Sequence, residues 1–313
     1  MARILTVTLN PALDVTVRVS HLVPGEVNRS QSSVTHAAGK GVNVAQVLAD
    51  LGHTLTVSGF LGEDNPHAFE ALFEHRGFVD AFIRVPGETR SNIKLAEDDG
   101  RVTDLNGPGP LVSELAQQAL LDKLDQIGAS HDAVVVAGSL PRGVSAQWLR
   151  ELLLRLKAMG LKVVFDSSGE ALKEGLSAGP WLIKPNTEEL SDALGCDVSD
   201  LAAQVGAATQ LLAKGIEHVV ISDGAQGVNW FSRRAALHAQ PPKVRVASTV
   251  GAGDSLLAGM LHGLISGHSP EQTLCTATAI AAMAVTQIGF GISDAVQLAT
   301  LESGVRVRPL TKE

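Results

Sequence analysis

Four short apolar runs, each cut off by a loop of small or polar residues, constrain this 313-residue chain more than any other feature. The run at 134–136 leads into Gly138-Ser139-Leu140-Pro141, 163–165 into Asp166-Ser167-Ser168, 181–183 into Lys184-Pro185-Asn186, and 219–221 into Ser222-Asp223-Gly224. A run that is apolar throughout suits a strand buried on both faces, and parallel buried strands present their loops along one common edge. Between the runs the spacing is helical, with Ser145 as N-cap before Trp148, Leu149, Leu152 and Leu156, and Ser199 before Leu201, Val205, Leu211 and Leu212. The alternation predicts an α/β fold, a doubly wound, mostly parallel sheet flanked by helices. A hydrophobic content of 45% suffices to cover both faces of such a sheet.

Two segments follow a different rhythm. Leu13, Val15, Val17 and Val19 alternate with Asp14, Thr16 and Arg18, so this strand has one apolar and one polar face, with Asp14 on the polar one. Ile93 and Leu95 alternate with Asn92 and Lys94 ahead of Asp99-Gly100, a dipeptide that favours a tight hairpin. These strands predict a small separate sheet, over about 11–36 and 86–107, that lies as a lid beside the crevice and excludes water from a reactive phosphate.

Two glycine-rich turns enter helices and supply the chemistry. In Ser248-Thr-Val-Gly-Ala-Gly-Asp-Ser255, Gly251 and Gly253 permit a tight turn with bare amides, and Leu256, Leu257, Met260, Leu261 and Leu264 give a helix face. Free N–H groups at a helix start attract anions, and Asp254 sits in the first turn, where the helix dipole favours its carboxylate. Phosphoryl transfer needs that pairing of donors with a base, although a glycine turn followed by an acid is also ordinary capping chemistry. A dinucleotide fingerprint fails at Leu256, and Gly39-Lys40-Gly41 lacks the Ser or Thr of a P-loop. The second turn, Ala38-Gly39-Lys40-Gly41, precedes Val44, Val47, Leu48 and Leu51, with Gly52 as the stop. Lys40 there suits a phosphate already on a substrate, Asn43 suits a sugar hydroxyl, and the alternative is a solvated lysine in a turn.

A net charge of −8 without a long basic run opposes nucleic acid and anionic membrane as partners. The most apolar stretch, about 275–285, is shorter than the ~20 residues of a membrane span. The N-terminus runs from Arg3 directly into a strand over 4–9 instead of a secretory signal. Two cysteines, Cys196 and Cys275, each in a helix-like stretch, fit a reducing compartment, so a cytoplasmic protein is expected.

With Gly251-Ala-Gly-Asp254, Ala38-Gly-Lys-Gly-Val-Asn-Val-Ala45 and Lys184-Pro-Asn-Thr-Glu-Glu189, the chain resembles the ribokinase-like sugar kinases of the phosphofructokinase B family. The match spans nearly the whole length as one domain, 1–313. Thr8-Leu-Asn-Pro-Ala12, His36-Ala-Ala-Gly-Lys-Gly41, Gly59-Phe-Leu-Gly-Glu-Asp64, Thr103-Asp-Leu-Asn106 and Pro180-Trp-Leu-Ile-Lys-Pro-Asn186 are most similar to the bacterial members that act on fructose 1-phosphate. The resemblance implies ATP-dependent phosphorylation of that sugar at its 6-hydroxyl; fructose 6-phosphate or tagatose 6-phosphate is the alternative, and a non-catalytic sugar-phosphate sensor a more distant one. It implies Asp254 as catalytic base and the amides of Gly251, Ala252 and Gly253 as an anion hole. It places substrate contacts at Asp14, Gly39, Asn43, Arg90 and Ser139, with Lys40, Arg90 and Lys94 holding the existing phosphate. It implies Mg²⁺ near Asn186 and Glu189, through water, with Asp166 as a further metal-shell candidate. Lys184, Asn186, Ser222, Gly224, Gly227, Ser248 and Thr249 fall on the nucleotide side, where Asp223 departs from the family's uncharged residue. Members of the family often pair as homodimers through the lid.

Overall fold

The apolar runs form the middle of one large sheet in the computed structural model, which describes residues 1–287 and 289–310. The first third contains β1 (Arg3–Thr8), β2 (Ala12–Val19), β3 (Ser32–Ala38), α1 (Lys40–Asp50), β4 (Thr54–Gly62), α2 (His67–Arg76), β5 (Val79–Asp80), β6 (Ile83–Val85), β7 (Arg90–Glu97) and β8 (Val102–Asn106). The middle contains α3 (Glu114–Ile127), β9 (Ala133–Ala137), α4 (Ala146–Ala158), β10 (Lys162–Asp166), α5 (Gly169–Ser177), β11 (Leu182–Ile183), α6 (Thr187–Leu194), α7 (Leu201–Ala213) and β12 (His218–Ser222). The remainder contains β13 (Val228–Ser232), β14 (Ala236–Gln240), α8 (Ala252–Ser266), α9 (Pro270–Ala284), α10 (Ala295–Gly304) and β15 (Arg306–Pro309).

The strands of the large sheet lie in the order β15-β14-β13-β12-β11-β10-β9-β1-β4-β5, with β6 on the far end of β4. From β12 to β5 the pairings are parallel, and β13, β14 and β15 add an antiparallel margin. Neighbouring residues point to opposite faces, which is why central strands are apolar at every position. Ile4, Val135 and Val164 join one buried cluster with residues of α1, α2, α8 and α9. Leu5, Val134 and Val163 join the other with residues of α3, α4, α5, α6 and α7. The order in which strands are added reverses about β1: the segment after it builds outward to β4, whereas β9 pairs on its other side. The crevice at that switch point lies over the carboxyl ends of β1, β9, β10 and β11.

The second sheet, ordered β3-β2-β7-β8, is the predicted small separate sheet, its strands lying within 12–38 and 90–106. Asp14 pairs in register with His36 and Asn92, and Asn92 with Asn106, making one polar face. Val15, Ile93 and Leu105 share the opposite face, as do Val17 and Leu95. The turn between β7 and β8 contains Asp99-Gly100, Gly100 having φ of +90°.

Three local expectations change. Asp200, not Ser199, caps α7 by accepting from the Ala203 amide at 2.7 Å, because the helix begins one residue later. Cys196 lies exposed beyond the end of α6, which Gly195 closes in the left-handed conformation, while Cys275 is within α9; both thiols are free. Gly251 does turn the chain, with φ of +80°, but Gly253 lies inside α8. Ser145 caps α4 as expected. Among the described residues no helix is long and apolar enough to cross a membrane.

Candidate active site

A cavity of about 1040 Å³ separates the lid's polar face from the strand ends. Its floor is set by two helix starts. Gly39 precedes α1 with φ of +135°, and a Cβ there would fall 2.8 Å from Thr8 Cγ2, while one on Gly41 would fall 2.4 Å from Thr8 Oγ1. Glycines therefore press α1 against the end of β1 and carry Lys40 and Asn43 to the crevice. At the second start, Gly251 caps α8 without any side-chain hydrogen bond, so the first amides of the helix have no side-chain acceptor. A Cβ on Gly253 would lie 3.1 Å from Lys184 Nζ. Its glycine serves to admit that ammonium beside the helix start, and not to bend the chain.

Asp254 lies in the first turn of α8, 7% exposed, and its Oδ2 accepts from Asn43 Nδ2 at 2.8 Å. Burial pushes its carboxyl up to about 6; Lys40 opposes the shift, Asp166 adds to it, and Asn43 and Lys184 oppose it more weakly. The sequence suggested the reverse sign, from the helix dipole alone. A carboxylate with an affinity for protons close to neutrality is a stronger base than an ordinary aspartate, yet remains ionised at pH 7.

Below it, Asp166 ends β10 almost without exposure. Lys40 Nζ lies 3.1 Å from its Oδ2 and Lys184 Nζ 3.5 Å from its Oδ1. Burial works against the Lys40 charge, but Asp166, Asp254 and Glu189 outweigh it and hold the ammonium above its usual range. Asn186 and Glu189 make a capping box at the start of α6: Asn186 Oδ1 accepts from the Glu189 amide at 2.7 Å, and Glu189 Oε2 from the Asn186 amide at 2.9 Å. Oε1 of Glu189 stays outside that box, and both residues line the cavity.

At the lid end, Asp14 accepts from Asn92 Nδ2 at 3.1 Å and from Lys94 Nζ at 3.4 Å. Arg90 donates to the carbonyls of Gly107 and Asn10 at 3.3 and 3.2 Å, and approaches Ser139 Oγ at 3.5 Å. Its Nε is buried without a partner, and burial lowers its affinity for the proton. Lys40, Lys94 and Lys184 each have a carboxylate within 4 Å, whereas Arg90 has none among the described residues. A half-buried guanidinium without a counter-ion is the feature expected where an anion is to bind.

The cavity brings together Asp14, Gly39, Lys40, Asn43, Arg90, Lys94, Asp166, Lys184, Asn186, Glu189, Ser222, Gly224, Thr249 and residues 251–254. Ser139, Gly227 and Ser248 do not line it. Ser139 touches Arg90 and accepts from Asn10 Nδ2 at 3.2 Å; Gly227 lets β13 approach β14, where a Cβ would meet Ala239 O at 2.2 Å; Ser248 Oγ accepts from the Val250 amide. Asp223 is exposed and outside the cavity. Sequence reasoning missed an apolar wall of Val228, Val244, Val246, Val250, Ala282 and Val285, with Gln240 and Lys243 at its edge. One signal was present: Thr278, Ala281 and Ala282 recur at helical spacing as small residues on one side of α9, with Val285 at its C-cap. An apolar wall next to a helix start with bare amides suits a planar base attached to phosphates. Outside the cleft, His21, Glu97 and Asp99 come together at the lid's outer end, where Arg101 already neutralises Glu97 at 2.7 Å.

The pattern described as pfkB family carbohydrate kinase matches residues 7–296. The chain is 49% identical over 308 residues to 1-phosphofructokinase of Vibrio cholerae, covering 98% of this chain and 97% of that protein. Its fold superimposes on phosphofructokinase-2 from Escherichia coli in complex with potassium with a TM-score of 0.89 at 28% identity, covering 97% and 99% of the two chains. Ribokinase from Thermotoga maritima shares the fold alone, with a TM-score of 0.76 at 21% identity over 97% and 100% of the chains.

Proposed function

The chain belongs to the pfkB family of carbohydrate kinases, and from that premise we propose that it transfers the γ-phosphoryl of ATP to the 6-hydroxyl of D-fructose 1-phosphate, giving fructose 1,6-bisphosphate. The observation that carries the reading is the buried Asp254, held by Asn43 at the start of α8 in the same cleft as Arg90, which has no carboxylate within 4 Å among the described residues. Asp254 takes the proton of the 6-hydroxyl as that oxygen attacks phosphorus. The amides of residues 251–253 receive charge from the transferring group, and their fixed orientation costs no rearrangement during the reaction. Asn43, with Nδ2 committed to Asp254 and a buried Oδ1 free of partners, orients the attacking sugar beside the base. Asp14 accepts from another hydroxyl, and Arg90, supported by Ser139, takes the 1-phosphate through its planar fork.

The nucleotide lies with its phosphates toward Lys184, Gly253 and Thr249 and its base against Val228, Val246, Ala282 and Val285; Asn186, Ser222 and Gly224 border the intervening ribose and phosphates. Glu189, whose Oε1 lies outside the capping box it makes with Asn186, suits Mg²⁺ held through water, since that ion sheds its hydration shell reluctantly. Bound there, Mg²⁺ would neutralise charge on the β- and γ-phosphates. Lid closure excludes water, which would otherwise compete with the sugar for the phosphoryl group. The free thiols suit a cytoplasmic setting. A second copy covers the apolar outer face of the lid, where Val15, Val17, Ile93 and Leu95 are partly buried and Leu105 is 54% exposed.

Steady-state assays with ATP against fructose 1-phosphate, fructose 6-phosphate, tagatose 6-phosphate and free fructose test the assignment: kcat/KM is expected to be highest for fructose 1-phosphate. Replacing Asp254 by Asn should lower kcat by about 10²–10⁴-fold while nucleotide still binds. A different preferred sugar would overturn the substrate, and near-normal turnover by the variant would overturn the base.

A further inference from the structure

The position of Lys40 does not match a grip on the resident phosphate. Its ammonium rests on Asp166 at 3.1 Å, and Asp166 is in turn 3.5 Å from Lys184, the cation lodged against Gly253 at the start of α8. The carboxylates whose fields reach Lys40 are Asp166, Asp254 and Glu189, from β10, α8 and α6. Lys94 instead pairs with Asp14 of the lid at 3.4 Å. The cleft's cations therefore form two groups. Arg90 and Lys94 lie with Asn10, Ser139 and Asp14 at the lid end, and Lys40 and Lys184 flank Asp166 beside the base.

On the reading that the substrate is fructose 1-phosphate, its 1-phosphate and its 6-hydroxyl lie at opposite ends of the sugar. With the hydroxyl at Asp254, a cation in the field of Asp254 is at the wrong end to hold the 1-phosphate. We propose that Lys40 is a catalytic cation that contacts the transferring phosphoryl group, and that the resident phosphate is left to Arg90 and Lys94.

Exposure agrees with that division. The side chains of Asp166 and Lys184 are 1% and 5% exposed, whereas that of Lys40 is 37% exposed, so its ammonium faces the cleft with donors to spare. During transfer the O6–H proton moves to Asp254, the O6–P bond forms, and the bond from phosphorus to the bridging oxygen breaks with its electron pair leaving on ADP. Lys40 stays protonated throughout and moves no proton. It offsets negative charge on the phosphoryl oxygens as they pass from donor to acceptor, with Asp166 keeping the ammonium in place.

The test compares Lys40→Met and Lys40→Arg with Arg90→Gln, using kcat, KM and calorimetric binding of fructose 1-phosphate without nucleotide or metal. Loss of Lys40 should lower kcat by about 10²–10³-fold and leave the nucleotide-free Kd within about threefold of wild type, with the Arg variant recovering part of kcat. Arg90→Gln should raise that Kd at least tenfold. If Lys40→Met weakens nucleotide-free binding as Arg90→Gln does, and kcat is kept, Lys40 holds the resident phosphate and the proposal fails. Should the Met variant lose its circular dichroism spectrum, Lys40→Arg decides alone: reduced kcat with unchanged Kd supports the proposal, and the reverse pattern overturns it. Wild-type preference for another phosphohexose would sink the substrate assignment separately, and the same comparison would then be made with that sugar.

Discussion

Asp254 shows how one residue can be correctly located by sequence and wrongly described in its electrostatics. Gly-Ala-Gly-Asp marks a helix start with an acid, which is a local statement, but the carboxyl's environment is made by Asn43, Lys40, Asp166 and Lys184, distant in sequence. Burial wins over the two lysines, and the group is pushed up to about 6. The base must be ionised to act, so kcat/KM should fall with an apparent pKa near 6 as pH is lowered, not near the usual carboxylate value. A profile flat down to pH 5 would contradict this. The same shift opposes folding. Between the ordinary value of 3.8 and about 6 the folded protein takes up a proton that the unfolded chain does not, so stability falls as pH rises through that window and the penalty is complete above it. Asp254→Asn should therefore melt at a higher temperature than wild type at pH 8, with a smaller difference at pH 5. A variant less stable at pH 8 would show that the carboxylate's attraction to the lysines outweighs its burial.

Elements were legible where a period was clear. Continuous apolar runs gave the central strands, and alternation gave the lid, because burial on two faces or one writes a different pattern. The nucleotide-side wall was not legible, since Val228, Val246 and Val285 come from a strand, a loop and a helix end, and no single segment carries a polar motif. The helix pair α8–α9 depends on a contact that sequence could not reveal. A Cβ on Gly259 would fall 2.6 Å from Ala277 Cα and 3.0 Å from its Cβ. Gly259→Ala should therefore push the two helices apart, cost about 1–3 kcal/mol, and lower kcat because α8 carries Asp254. Gly206, inside α7, has nothing within 4 Å of an added Cβ. Gly206→Ala should stabilise by roughly 0.5–1 kcal/mol through helix propensity alone. Chemical denaturation of the two variants checks the contrast, and equal effects would mean that propensity and not packing governs α8.

At the scale of the molecule, a protein of net charge −8 gathers Lys40, Lys94, Lys184 and Arg90 around one cleft beside Asp14, Asp166, Glu189 and Asp254, so phosphate binding there depends on how single cations are placed and not on the overall field. The lid's apolar outer face is equally anomalous for a protein standing alone. Sedimentation should find wild type as a dimer and Leu105→Glu as a monomer, since a charge on that face is tolerated in water but not between two copies; a monomeric wild type would remove the proposed pairing. One further consequence lies in the hydrogen bond from Asn43 to Asp254, which joins residues 211 positions apart. During synthesis, α1 emerges long before α8, and the reacting centre does not exist until most of the polypeptide has left the ribosome. An incomplete nascent chain thus has no means of wasting ATP, and the appearance of enzyme activity can serve as a clock for the last steps of folding.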